Sequence, residues 1–173
     1  MARTLEAYRH QHDLVRVRER PAKAQFAMEA LDRHPRNVVV MLDPGCQVHA
    51  PLHGLRRVTG DVALYVQHKR HASGRIRFAP RSSTVVLRPT RRTRRFLALW
   101  DQLTKAPSRS LAQSPLAVAL AQAEDLTVEQ LHPSYCVIPA DQIAFAHIMH
   151  TGPLHRIRPA TWWRRALHRL IHL

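Results

Sequence analysis

Apolar positions recur along this chain in two periods, one helical and one alternating. In PAKAQFAMEALDRH (21–34), Phe26, Ala27, Ala30 and Leu31 fall at helical spacing behind a proline suited to a first helical turn. Pro35 ends that helix. The run VVVML (38–42) follows as a continuous apolar strand, and such a helix leading into a buried strand is typical of α/β sheets covered on both faces. LHGLRRV, after Pro51, predicts a short helix or turn. DVALYVQHK (61–69) reads as a second strand, RIRF (75–78) as a short third, and STVVLRP (83–89) as another, stopped by Pro89. Thr90 is a fair N-cap for TRRTRRFLALWDQLTKA, where Phe96, Leu97, Trp100 and Leu103 share a face. A further helix, SPLAVALAQAE (114–124), has Pro at its first position after Ser114. TVEQLHPSYCVIP (127–139) predicts a turn and a short extended segment, and IAFAHIMH (143–150) a last strand. The elements together predict an α/β fold.

The final residues, TWWRRALHRLIHL, put Trp162, Trp163, Ala166, Leu167, Leu170 and Ile171 on one side of a helix. Arg164, Arg165, His168, Arg169 and His172 lie on the other. Such a basic amphipathic helix suits an anionic membrane interface, or docks on the domain and shows its charged side to water.

Composition changes this picture in one respect. The chain has 173 residues, a formal net charge of +15, and 24 arginines among its 27 basic residues. That field attracts polyanions such as nucleic acid, anionic lipid or ligand phosphates. The charges are scattered along the whole length, which favours nucleic acid less than a concentrated basic arm would. No apolar window is long enough to cross a bilayer, and the charged start lacks the apolar core of a secretory signal, so a cytoplasmic protein, or one peripheral to the inner membrane face, is expected. Cys46 and Cys136, ninety residues apart, are expected to stay reduced. The pairs His10/His12 and His68/His71 have ligand-like spacing but make no recognisable zinc site.

One acid stands out. Asp43 closes the VVVML strand and is followed by Pro44-Gly45, so it either begins a turn or sits at the mouth of a site. The order of segments bears on the choice: a helix headed by Lys23, a strand ending in Asp43, GDVAL, SSTVV, LALWDQL, QSPLAVAL, LHPSYCVIP and a late His. In that order they resemble the nucleotide-diphospho-sugar transferase family of GT-A-type glycosyltransferases, from about Pro21 to about Arg156. The resemblance implies a partial GT-A-like, Rossmann-like mixed sheet flanked by helices in a domain at 21–156, between a charged segment at 1–20 and the amphipathic helix at 157–173. It implies transfer of a sugar from a nucleotide-diphosphate donor to a glycan, lipid or protein acceptor. It further implies a divalent metal, Mn or Mg, held by Asp43 and His150 against the donor diphosphate. Lys23, Ser82, Ser83 and Thr84 would line the donor, and Gln113 would face the transferred sugar. Arg75 or Arg77 would contact phosphate.

Two departures leave catalysis open. Pro44-Gly45 replaces the second acid of the family's Asp-x-Asp motif, and Ala112 stands where an acid usually precedes the glutamine. The strands that cradle the nucleotide base are also not matched. The alternative, from another class, is a non-catalytic basic protein that binds nucleic acid or a membrane surface.

Overall fold

The computed structural model describes residues 2–10, 12, 23–43, 45–70, 74, 76–106, 114–138, 143 and 145–150. Helices α1 (Ala2–Ala7) and α2 (Lys23–Arg33) precede strands β1 (Val39–Leu42) and β2 (Cys46–Val48). A 3-10 turn (His53–Arg57) leads into the long strands β3 (Val62–Arg70) and β4 (Ile76–Leu87). Helices α3 (Arg91–Lys105) and α4 (Pro115–Gln122) follow, then β5 (Val128–Gln130), a second 3-10 turn (Pro133–Tyr135) and β6 (Ile148–His150). The protein is thus mixed α/β. Its main sheet has the order β1-β4-β3-β5, with β5 parallel to β3 and the other pairings antiparallel; β2 and β6 form a separate antiparallel ribbon.

Strand alternation assigns each face of the sheet its own core. Val62 and Leu64 of β3, with Val85 and Leu87 of β4, meet Ala24, Ala27 and Leu31 of α2, Phe96, Leu97 and Trp100 of α3, and Leu116 and Ala119 of α4. On the opposite face Ala63 and Val86 meet Leu5 of α1, Leu52, Leu55 and Val58 around the first 3-10 turn, and Cys46, Val48 and Ile148 of the small ribbon. Residues 2–10 therefore pack on the domain although their composition is polar: Leu5 is buried, and His10 Nε2 accepts the Leu52 backbone N–H at 3.0 Å.

Three expectations change. The VVVML strand is only partly buried throughout, because β1 is an edge strand and not a central one. The two short strands expected at 75–78 and 83–89 are one strand of twelve residues, β4. Of the described residues in 143–150, Ile148–His150 alone are strand. The expected caps are found: Thr90 Oγ1 accepts Thr93 N–H and Ser114 Oγ accepts Ala117 N–H, each satisfying an orphan donor of a helix start. The helix expected at 157–173 lies outside the described residues.

Asp61, only 2% exposed, joins the layers. Its Oδ1 accepts the Thr90 hydroxyl at 2.7 Å, and its Oδ2 accepts Thr127 N–H and the Arg92 Nε–H, both at 2.9 Å. Burial pushes this carboxyl up, but the bonds from Thr127, Thr90 and Arg92 outweigh it and hold the group below its ordinary value. Asp61→Asn is expected to cost about 2 kcal/mol of unfolding free energy at neutral pH. Because the folded carboxyl is depressed, its contribution is present above 3.8 and is lost as pH falls through the lower folded value. Urea unfolding of both proteins should therefore show the deficit shrinking below that pH; a deficit constant into the acid range would mean that charge is not what binds.

Candidate functional site

The C-terminal end of β1 is where the residues singled out by the sequence converge. Lys23 is the first residue of α2, Asp43 follows β1, and Ser82 lies inside β4. The Lys23 ammonium donates to Asp43 Oδ1 at 2.6 Å, to Ser82 Oγ at 3.0 Å and to the Ser82 carbonyl at 3.1 Å. Both charged side chains remain over a third exposed, so the cluster opens to solvent. A lysine is unfavourable in a first helical turn, because the helix dipole already makes that end positive. Here the same dipole and the ammonium both favour an anion, and Asp43 supplies one.

The strand geometry that delivers Ser82 is a bulge. Leu64 of β3 pairs with Val85, but the next residue, Tyr65, pairs with Arg81, leaving Ser82, Ser83 and Thr84 without β3 partners. Bulges re-aim side chains, and each of these three takes a different contact. Ser82 meets Lys23. Ser83 Oγ lies 2.9 Å from Cys136 Sγ, and its carbonyl accepts Asp43 N–H at 3.0 Å. Thr84 Oγ1 donates to the Tyr135 carbonyl at 2.7 Å and lies 3.0 Å from His150 Nε2. In the sequence these three residues were candidates through the family resemblance alone.

The donor set suits an anion better than a cation. The Asp43 carboxylate already carries an ammonium, Gly45 brings no second acid, and buried His150 directs Nε2 at Thr84. Among the described residues no group of three His, Cys, Asp or Glu gathers around one point. Gln113 and Arg75 lie outside the described residues. Arg77 is six residues beyond Ser83 along β4, roughly 20 Å at strand spacing, which removes its backbone from the Asp43 end.

The chain matches no protein-family model, no curated protein and no solved structure. What its site can do therefore has to be read from its own residues. A groove of about 340 Å³ between α3 and α4, lined by Arg92, Arg95, Phe96, Leu99 and Gln122, contains none of the converging residues. Cys46 pairs in register with His150, but burial pushes its thiol up to about 11, so it is not an activated nucleophile. Both cysteines are free thiols. No helix among the described residues is long and apolar enough to cross a membrane.

A second polar cluster was not singled out by sequence. Ser134, buried, sits between two imidazoles: its Oγ lies 2.8 Å from His132 Nδ1 and 2.9 Å from His147 Nδ1. His132 Nδ1 also accepts the Ser134 N–H, so it is the unprotonated nitrogen; the Ser134 hydroxyl donates to it and accepts from His147 Nδ1–H. His147 stacks on Tyr135 at 4.3 Å, and its N–H donates to the Ser134 carbonyl at 2.8 Å. The cluster thereby docks β6 onto the second 3-10 turn, behind Thr84. Its signal, two His and a Ser spread over LHPSY and AHI, has no spacing that distinguishes it from scattered histidines.

Burial, and then the neighbouring His132, hold the His147 imidazole below its ordinary 6.5. The unfolded chain takes up that proton first, so docking is at full strength above 6.5 and weakens as pH falls below it. Amide exchange at His147 and His150, corrected for intrinsic rates, should accelerate between about pH 7 and about pH 5.5. His147→Asn, which keeps a donor toward Ser134, should flatten that dependence. An unchanged slope in the variant would assign the effect to another group.

Proposed function

We propose that this chain is a glycosyltransferase-like protein that binds the diphosphate of a nucleotide-sugar donor at the Lys23, Asp43 and Ser82 cluster. Transfer to a glycan, lipid or protein acceptor is reduced or lost. One observation carries the reading. Residues that stand out in the order of motifs, 20 and 59 positions apart in the chain, meet through a single ammonium at a strand's C-terminal end. A GT-A-like arrangement is the finer form of the mixed α/β fold that this reading entails.

Lys23 is the cation for the donor's phosphates, a point charge with three donors, and the Ser82 hydroxyl lies within its reach. Asp43 holds the ammonium in place and orients it. It also competes with phosphate for it, so donor affinity is modest by construction. In the resembled family a divalent ion would neutralise charge on the leaving diphosphate. This chain retains one carboxylate for such an ion, and the stimulation expected from Mn²⁺ is correspondingly small.

Titration calorimetry with UDP- and GDP-sugars, with and without Mn²⁺, tests the reading. One donor class should bind, and Lys23→Met should weaken it at least about tenfold through loss of a charge-assisted bond. Asp43→Asn should tighten binding without metal, because the ammonium is released to phosphate, and should abolish any Mn²⁺ increment. Absence of binding by every donor under both conditions would sink the proposal.

A further inference from the structure

We infer that the open edge of β1 is a dimer interface, paired antiparallel with β1 of a second copy of this chain. Main-chain bonds fix which way the strand's groups point. The Asp43 N–H donates to the Ser83 carbonyl, and the register carries that side of the ladder on through Met41–Val85 and Val39–Leu87. Alternation then turns the N–H and carbonyl groups of Val40 and Leu42 outward, with those of Val38 just ahead of the strand. The parity of β4 agrees, since Arg88 N–H donates to the Asp61 carbonyl on the β3 side. Among the described residues nothing bonds to the outward row, and β1 ends the sheet.

Natural sheet edges are guarded against such pairing by charge, proline or brevity. The far edge of this sheet is guarded: β5 has three residues, Glu129 binds Thr59 and Gly60, and Gln130 folds onto Val66. β1 has no guard of that kind. Val38–Leu42 is a continuous apolar run, and every residue in it is only half-buried. Val39 and Met41 pack against the helix-side core, and Val38, Val40 and Leu42 against the core of the opposite face. A strand added at this edge would therefore extend both cores at once.

Symmetry selects a second copy as that strand. Outward-facing residues of an antiparallel pair must oppose residues that also face outward. With a twofold axis at Val40, Val40 meets Val40 and Val38 meets Leu42 in both directions, so every outward N–H of both copies finds a carbonyl. The neighbouring registers fail. An axis at Leu42 sets Val40 against Pro44, which has no N–H to give. An axis at Val38 sets Leu42 against His34, whose N–H is already bonded to the Ala30 carbonyl at the end of α2. The axis at Val40 also places Val39 beside Met41 on the helix side, an apolar cross-strand pair. Charge agrees at the ends of the joint. Arg36, exposed and without an acid among the described residues, comes to the end of the other copy's strand. There Asp43 takes Lys23 on Oδ1 and has a second carboxylate oxygen for a guanidinium.

Sedimentation equilibrium of the full chain between about 1 and 200 µM tests the inference. It is run in about 0.3 M salt, where the net charge of +15 on each copy is screened beyond roughly 6 Å. The mass should rise from one chain to two. Val40→Pro removes an N–H that serves only the joint, at a position where an edge strand accepts proline. That variant should stay monomeric, with a thermal midpoint near the parent's. Arg36→Glu, in an exposed turn, should weaken dimerisation at least about tenfold by setting like charges together. Amide exchange reads the parity: Val40 and Leu42 should gain protection as concentration rises, while Met41, bonded to β4, is protected throughout. The inference is overturned if the chain sediments as a monomer at every concentration, or if Val40→Pro dimerises like the parent. It is equally overturned if Val40 and Leu42 are protected to the same degree at all dilutions, which would assign the edge to another segment of this chain.

Discussion

The buried carboxylate of Asp61 is the constraint on which the rest of the arrangement depends. It stands one residue before β3, and its three partners belong to segments far apart in sequence: Thr90 and Arg92 at the start of α3, and Thr127 just before β5. Its backbone carbonyl also accepts the Arg88 N–H and the Thr93 hydroxyl, tying down the exit of β4. A charge this deeply buried is tolerable only when its lone pairs find donors, so its neighbours have little freedom to move. Glu129 repeats the device close by, accepting the N–H groups of Thr59 and Gly60. Gly60 suits that position, since a Cβ would lie at 3.0 Å from the Thr127 carbonyl oxygen and 3.1 Å from Glu129 Cβ. The position of Lys23 is inherited from this joint: α3, fixed at its start, holds α2 through Arg94, which bonds to Asp32 and to the Leu31 carbonyl.

The bulge at Ser82–Thr84 does a different kind of positioning. Without it β4 would keep one parity along its twelve residues, and the hydroxyls would fall on alternate faces with no relation to Lys23. Alternation alone turns Val85 and Leu87 to the helices and Thr84 to the other side; the bulge lets successive Ser83 and Thr84 both reach the Tyr135–Cys136 segment while Ser82 reaches Lys23. The small ribbon of β2 and β6 is then docked against Thr84, and the polar residues of both layers meet at one level of the sheet. Thr84 is itself fully buried, so its two partners are a packing requirement as well as a link between layers.

Much of this was legible in the chain because local rules sufficed. Thr90 and Ser114 announce their helices through capping chemistry alone, and Phe96, Leu97 and Trp100 show the buried face of α3 by period. Asp43 was legible because an acid at a strand end breaks a pattern, whereas Lys23 and Ser82 were candidates only through the family resemblance. Their contact was not legible: it depends on sheet order. Edge placement of β1 was equally hidden, since VVVML reads the same whether one neighbour or two pair with it. The merging of 75–78 with 83–89 was missed because Pro80 in the middle argues against a strand. Its register partner is Val66, whose N–H and carbonyl are both taken by Gln130, so the missing proline donor costs no ladder bond there. Asp61 and the Ser134 histidines left no trace at sequence level. The significance of Asp61 lies in partners 29 and 66 residues away, and that of the histidines in a tautomer set by the fold.

Charge shows most clearly how folding redistributes what composition only counts. TRRTRRF at the start of α3 looks like the basic patch of the molecule, yet three of its four arginines are committed to acids on α3's neighbours. Those cations hold the helix layer together and contribute little field outside it. The β3–β4 hairpin is held differently, by single side chains at its base. Its base is fastened by Gln130 on the Val66 backbone and by the Arg81 guanidinium over Tyr65, while neither core, among the described residues, reaches as far as Phe78. A lone pair of strands is marginally stable by itself, so the anchoring at the base is what allows the outer half to be extended at all. Beyond Leu64 and Val85 the strand pair is thereby held by polar side-chain contacts rather than by a fully buried core.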